Sequence, residues 1–526
     1  SNSFNTTWNV DTNVVLTSGQ SGYDGTNDAW KFDKDANEFR AIRQTPTYSG
    51  VVTFSMYAKQ GTLRYLNFYT PTANAQIWFD LQTGGFGNQA GTYIKNKIED
   101  VGGGWYRCSV TYNASSGGQL RLYPTSSSTG YTAVAGNIYI QDAQLEQGLV
   151  ARDYIETTTA AVEGGITDNV PRLDYTDSSC PALLLEPQRT NLVPISEGVP
   201  ESTNNVTLTE NYATSPEGVQ NSLKVQKNGV DANDRIQPIG NYNATLVSGN
   251  DYTISCFVKN IDAINGVTTL ACRVSGGSLF RSGYDWDGSS LSYLTTGYNA
   301  GIRKNIFVED YGNGWWRIGF TFEADGTSGN FELDIDRRNG SDTTSIETWG
   351  WQLESATGDA SYATSYIPTY GTSATRNNDE TEVGNLQSKG ILSSTQGTMF
   401  FDIPYNEGNA VQFNMQSPND LSYGLRFIVK VNGFTLYQRI NDVQTIIRQR
   451  NDLSYTQWKI AMAWNGTNLI SSINGISYVD TIDASLASQL DTLKRVNSTT
   501  IAVKVKQTLV FPTQLTEAEL NDLTTL

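Results

Sequence analysis

Apolar and polar residues alternate in short runs along most of this chain, with clusters of Gly, Asn, Ser and Thr between the runs. Side chains on a strand point to opposite faces in turn, so such runs read as half-buried strands. In the first 160 residues they fall at Trp30-Lys31-Phe32, Val51 to Lys59, Leu63 to Tyr69, Ala75 to Leu81, a run from Trp105, Gln119 to Tyr123 and Asn137 to Leu145. That many strands at close spacing suit a jelly-roll β-sandwich. Later, Trp458 to Asn465 and Asn468 to Ile473 alternate on either side of an Asn-Gly turn, and Asn474-Gly475 starts the next hairpin. Helix is expected near the C terminus, where Thr516 can cap a short segment with Glu519 three positions on.

The sharpest pattern occurs twice. Glu99-Asp100-Val101-Gly102-Gly103-Gly104-Trp105-Tyr106-Arg107 returns as Glu309-Asp310-Tyr311-Gly312-Asn313-Gly314-Trp315-Trp316-Arg317, 210 residues later. Gln144-Leu145-Glu146 matches Gln352-Leu353-Glu354, and Phe54 to Lys59 matches Ile254 to Lys259. One domain has been duplicated. In the strand after each motif, Tyr106, Cys108, Val110 and Tyr112, like Trp316, Ile318, Phe320 and Phe322, form the apolar core face. Trp105 and Arg107, and Trp315 and Arg317, take the other face. A Trp beside an Arg there reads either as a sugar-stacking platform or as a Trp covered by a loop, with the Arg pairing a nearby acid.

The expected organisation is therefore all-β: two homologous jelly-roll β-sandwiches followed by a different one. The first spans 1–160 and the second 199–376, joined by a packed connector at 161–198. Residues 377–526, which are not a repeat, form a third sandwich, and the resemblance of Trp458 to Gly475 to lectin domains implies a concanavalin A-like β-sandwich. The connector carries four prolines and the apolar triplet Leu183-Leu184-Leu185, which favours an ordered segment over a flexible linker.

Composition narrows the chemistry. The 526 residues carry a net charge of −17, against the basic face that nucleic-acid binding demands. Histidine is absent, which removes Ser-His and Cys-His catalysis and nearly every transition-metal site. No 18-residue apolar run suggests a transmembrane helix, and no charged-then-apolar leader opens the sequence. Of four cysteines, Cys108 and Cys256 stand where the other copy has Ile318 and Met56, so they act as small core hydrophobes. Cys256 and Cys272 are placed to face each other across a hairpin.

Three resemblances follow from these residues. The block Trp458 to Gly475 resembles the strand-turn-strand of concanavalin A-like (laminin-G-type) lectin domains, and Leu515 to Leu520 the short helix that closes them. The G-x-G-W-[YW]-R strand, with Gln-Leu-Glu and Ser365 to Thr369, resembles jelly-roll carbohydrate-binding modules. The connector, Pro171 to Tyr175 and Leu184 to Leu192, resembles a segment of bacteriophage tail and fibre proteins.

These resemblances imply a non-enzymatic adhesion or receptor-binding protein of a virion, with bacterial surface polysaccharide and other virion proteins as partners and homo-oligomerisation open. A tail-associated depolymerase using an Asp/Glu pair, and a structural spacer, are the competing readings. Sugar binding calls for flat aromatics flanked by planar polar groups, so the candidates are Trp105, Arg107, Trp315, Arg317, Trp78, Tyr284 and Trp286. No cofactor is required. Jelly rolls of this resemblance often hold a structural Ca2+, and Asp285 and Asp287 are its candidate ligands, although the position-12 acid of a calcium loop is missing. Asp33, Asp35 and Glu38, and Asp334 and Asp336, are further acidic clusters. Gly102-Gly103-Gly104 lacks the Lys and helix of a phosphate cradle.

Overall fold

The structure is a computed structural model and describes every residue except 1, 38, 49, 115–116, 149–150, 152–153, 158–171, 176–178, 199, 230–233, 264–265, 339–341, 357–361, 380, 405–410, 419–421, 431 and 497–502. It is almost entirely β: one α-helix and one 3-10 turn are present among the described residues. No helix there is long and apolar enough to cross a membrane.

The first copy is a sandwich of two antiparallel six-stranded sheets. One runs, in spatial order, Asn9–Val10, Ile42–Gln44, Leu120–Thr125, Tyr65–Thr70, Ala75–Asp80 and Gly85–Ala90. The other runs Val14–Gln20, Ala29–Lys34, Gly136–Gln147, Gly50–Gln60, Trp105–Ala114 and Lys95–Gly102. The second copy repeats both. Its first sheet is Ser202–Asn204, Arg235–Thr245, Ser328–Asp334, Val267–Val274, Leu279–Asp287 and Ser290–Tyr293. Its second is Val206–Thr209, Leu223–Lys227, Ser345–Ala356, Asp251–Asn260, Trp315–Glu323 and Lys304–Asp310. Every hop of the chain between sheets recurs in the same order, so the repeat in sequence is a repeat in topology.

Register repeats as well. Trp105 lies opposite Lys59 and Cys108 opposite Met56; Trp315 lies opposite Lys259 and Ile318 opposite Cys256. The alternate residues of each strand meet between the sheets, Phe54, Phe68, Val110 and Tyr112 in the first copy, Ile254, Ile318, Phe320 and Trp351 in the second. The expectation that Cys256 and Cys272 face each other across a hairpin is corrected here. Their strands belong to opposite sheets, and both are free thiols in one core.

The third sandwich packs Thr381–Val383, Thr492–Val496, Val411–Gln416, Gly424–Lys430, Gly433–Ile440 and Val443–Arg450 against a five-stranded sheet. That sheet runs Ile476–Thr481, Asn468–Ile473, Gln457–Asn465, Gln396–Pro404 and Gln507–Phe511. Asn474 (φ 48°) and Gly475 (φ 80°) both take the left-handed conformation that a tight hairpin turn requires. The helix Glu517–Thr524 starts at Thr516, whose hydroxyl accepts from the Glu519 N–H while the Glu519 carboxylate accepts from the Thr516 N–H, a capping box.

The connector that precedes the second sandwich in sequence is held by both the second and the third. Ala182–Leu185 pairs with Arg172–Asp174 on one side and Val503–Val505 on the other, and Leu183 packs on the third core. Arg189–Asn191 pairs with Ala374–Arg376 and meets Glu354 of the second sandwich. Glu186, buried, receives Arg376 at 3.0 Å and Arg172 at 3.3 Å, and Arg172 also contacts Asp379. Opposite charges offset one another here where water is excluded.

Candidate functional site

The two motif tryptophans lie outside the main cores, as the alternation requires, yet neither is exposed. Trp105 is 3% and Trp315 2% accessible. Trp105 packs with Ala29, Tyr57, Tyr23 and Tyr139, and Tyr23 stacks on Tyr57 at 3.5 Å. Trp315 packs with Phe257, Trp349 and Tyr366, and its indole N–H reaches the Thr214 carbonyl. Arg107 lies over the Tyr57 ring. Arg317 is buried, donates to the Thr364 carbonyl at 2.6 Å and to Ser255 Oγ at 3.2 Å, and lies over Phe257. The exposed platform expected at Trp105, Arg107, Trp315 and Arg317 is thus not there: Tyr23 and the strand neighbours Ala29, Tyr57 and Tyr139 cover Trp105 and leave Arg107 half-buried, and the Thr214 loop with Thr364 and Tyr366 covers the second pair. Burial of these large apolar groups stabilises the cover.

Tyr284 and Trp286 are also corrected. Both point into the second core, where Tyr284 donates to the Gly319 carbonyl at 3.1 Å and Trp286 to Thr268 Oγ1 at 2.9 Å. The residue between them, Asp285, faces out and pairs with Arg338 at 3.0 Å, while Asp287 is exposed. Its Arg partner already supplies the positive charge a cation would bring to Asp285. No group of three or more metal-ligating side chains occurs among the described residues. Asp33 pairs with Lys31 and Asp35 with Arg40; Glu38 lies outside the described residues. Asp334 and Asp336 are buried, which raises both carboxyls above the usual range.

The remaining candidate, Trp78, leads to a surface the sequence reading did not single out. In the first copy's other sheet, Leu66, Phe68, Ile77, Phe79 and Leu122 face the core. The alternate positions therefore share the outer face, and cross-strand register orders them in rows. Arg121 lies opposite Tyr69, which lies opposite Gln76; Tyr123 lies opposite Asn67, which lies opposite Trp78. Tyr131 from the next loop crosses the centre, its ring 4.7 Å from Tyr123. Its hydroxyl donates to Asn67 Oδ1 at 3.1 Å and accepts from Gln76 Nε2 at 2.5 Å. Trp78 is 3% accessible and donates to the Gly130 carbonyl at 3.3 Å.

What stays open on this face is the Tyr69 ring, with the Arg121 guanidinium 5.7 Å from its centroid, the half-buried Gln76 and Tyr131, and Phe39 packed on Tyr131 and 61% exposed. Flat rings beside amide and guanidinium donors are held there by a rigid sheet. Rings can cover the C–H face of a pyranose while Gln76 and Arg121 take hydroxyls.

The chain matches no family model and no curated protein. Among solved structures it is similar to the CBM40 of the Ruminococcus gnavus IT-sialidase bound to alpha2,3 sialyllactose, at 13% identity over 28% of this chain and 97% of that one, with a TM-score of 0.22. It is similar to the CBM22-1-CBM22-2 tandem of Paenibacillus barcinonensis Xyn10C, at 11% identity over 67% and 93% of the two chains, TM-score 0.21. A third is the LG4-5 pair of the mouse laminin alpha1 chain, at 6% identity over 68% and 95%, TM-score 0.19. Scores this low leave the functional argument to this chain's own residues.

Proposed function

We propose that the protein is a glycan-binding adhesion protein without hydrolytic activity, and that the outer face of the first sandwich is a docking surface for sugar. The observation that carries this reading is the row Arg121, Tyr69 and Gln76 beside Tyr131 and Phe39, since aromatic and planar polar side chains alternate there over a rigid sheet. The carbohydrate-binding modules among the similar structures agree with it in kind. Its setting is the distal part of a phage tail fibre or a related virion appendage, and its ligand a bacterial surface polysaccharide. The connector from Pro171 to Leu192 supports this setting by its resemblance alone. Repeated weak sites on one fibre supply avidity.

A glycan array probed with the full chain tests the reading. Tyr69→Ala with Gln76→Ala should weaken the strongest signal at least tenfold, about 1.4 kcal/mol, with the thermal midpoint held within a few degrees. An array with no signal on any neutral or acidic glycan would reject it. Steady release of new reducing ends from a bound polysaccharide would favour the depolymerase instead.

A further inference from the structure

The two jelly rolls share topology and register, so each position on the first outer face has a counterpart on the second. Leu270, Cys272, Phe331 and Leu333 face the second core, and their neighbours in sequence face out. Arg273 lies opposite Asn330. Ala271 lies between Glu332 and Arg281, as Tyr69 lies between Arg121 and Gln76. Thr269 lies opposite Asp334, which lies opposite Arg235, and Arg337 pairs with Asp334 at 3.2 Å. The duplication has thus kept the scaffold but set an alanine where the first face has Tyr69, a glutamate where it has Arg121 and an arginine where it has Gln76.

Four guanidinium groups, Arg235, Arg273, Arg281 and Arg337, meet two carboxylates here, Glu332 and Asp334, on a chain whose net charge is −17. The carboxylates are the more buried partners: Glu332 is 4% and Asp334 1% accessible, whereas the Arg273 side chain is 40% accessible. Arg281 is fixed through Nε, which donates to the Tyr298 carbonyl at 2.8 Å. Burial first, and then the nearby Arg337 and Arg273, lower its affinity for a proton against the opposing pull of Asp334 and Glu332. Ala271, at the centre of this ring, is small and itself fully buried. A guanidinium fork matches a carboxylate in shape and charge, and Glu332 can accept from a neighbouring sugar hydroxyl.

We infer that the outer face of the second sandwich, around Ala271 with Arg273 and Arg281 as its forks, binds a saccharide bearing a carboxylate. This rests on the reading of the protein as glycan-binding and adds that its two jelly rolls take sugars of different charge. The full chain is titrated calorimetrically with a panel of oligosaccharides carrying uronate or nonulosonate carboxylates, their carboxyl-reduced forms, and sulfated oligosaccharides of equal length. At least one carboxylate ligand should saturate, its reduced form should bind at least tenfold more weakly, and higher salt should weaken binding.

Arg273→Ala with Arg281→Ala should abolish that binding, while Arg273→Lys with Arg281→Lys, which keeps the charges and loses the forks, should weaken it several-fold at an unchanged thermal midpoint. The Tyr69→Ala, Gln76→Ala variant of the first sandwich should leave it intact. No saturable carboxylate ligand, equal binding of the reduced or sulfated forms, or full affinity in the double Lys variant would overturn the inference. Binding of neutral glycans to the first sandwich would survive such a result, so the two readings fail separately.

Discussion

The indole N–H of Trp315 donates to the main-chain carbonyl of Thr214, 3.1 Å away, and so fastens the motif strand to the loop that covers it. Trp315→Ala should therefore cost stability before it costs binding. Removing a buried Trp of this kind costs about 3–5 kcal/mol, read as a lower urea midpoint of the second sandwich. Trp315→Phe should retain part of the packing and lose the bond, at about 1–3 kcal/mol. An unchanged midpoint together with lost glycan binding would return this side chain to the ligand.

How far the sequence reaches is visible at this same residue. Alternation after the Gly-x-Gly-Trp motif correctly separates Ile318, Phe320 and Phe322 from Trp315 and Arg317. It tells which face a residue takes and not what lies upon that face. The cover comes from Thr214, Thr364 and Tyr366, distant in sequence, and strand periodicity carries no trace of them. The same limit explains Tyr284 and Trp286, where an aromatic-rich strand next to acids looks like a site although its parity points inward. The face built on Tyr69, Gln76 and Arg121 was within reach, because Leu66, Phe68 and Ile77 fix its parity. The Tyr131 loop that closes its centre was not. Local signals, such as the Thr516 capping box and the Asn474-Gly475 turn, needed no distant partner and are found where the sequence puts them.

Asp142 gives the cover of the first motif a pH dependence. Burial chiefly, with Asp28 and Asp24 nearby, pushes its carboxyl up to about 6, although the Tyr23 hydroxyl donates to it at 3.2 Å. A folded pKa above the unfolded one, about 3.9, means that the favourable term is complete below that value and is lost as pH rises through about 6. Asp142→Asn should therefore stabilise the protein by about 1 kcal/mol at pH 8, and the gain should vanish near pH 4. Asn also tolerates the left-handed backbone at this position, φ 52°. Urea midpoints of both proteins across this range check the sign, and a constant difference would refute it.

Thiol chemistry checks the placement of the cysteines. Cys108, Cys256 and Cys272 are buried, and burial raises each thiol well above its ordinary range; Cys180 is exposed. The thiolate is the reactive form, so burial suppresses both access and ionisation. A maleimide added to the native protein should label Cys180 alone, and mass spectrometry after denaturation without reductant should find the other three reactive. Finding Cys256 and Cys272 joined would contradict their positions in opposite sheets.

Asn191 shows why the connector is more than a tether. It is fully buried, and its amide nitrogen donates to the carbonyls of Trp351 at 3.1 Å and Ile367 at 2.9 Å. Its side-chain oxygen accepts from the backbone N–H groups of Val193 and Leu353, both at 3.1 Å. One amide thus joins the connector, the last long strand of the second sandwich and the segment that follows it. Asn191→Ala would strand two carbonyls and two N–H groups away from water, each costing about 1–3 kcal/mol when unpaired. Because the four are not independent, the whole loss should be about 3–5 kcal/mol. Asn191→Asp keeps the shape but sets a carboxylate against two carbonyl oxygens. Burial against those oxygens raises the pKa of the new acid, so its destabilisation should ease as pH falls toward the ordinary Asp range, where the protonated acid can donate once more. Urea unfolding should show the second sandwich melting early while the third, whose core holds Leu183, keeps its midpoint. Trypsin should then cut around Arg189 in the Asn191→Ala protein. Unchanged midpoints and unchanged cleavage would mean that the second sandwich holds without the connector.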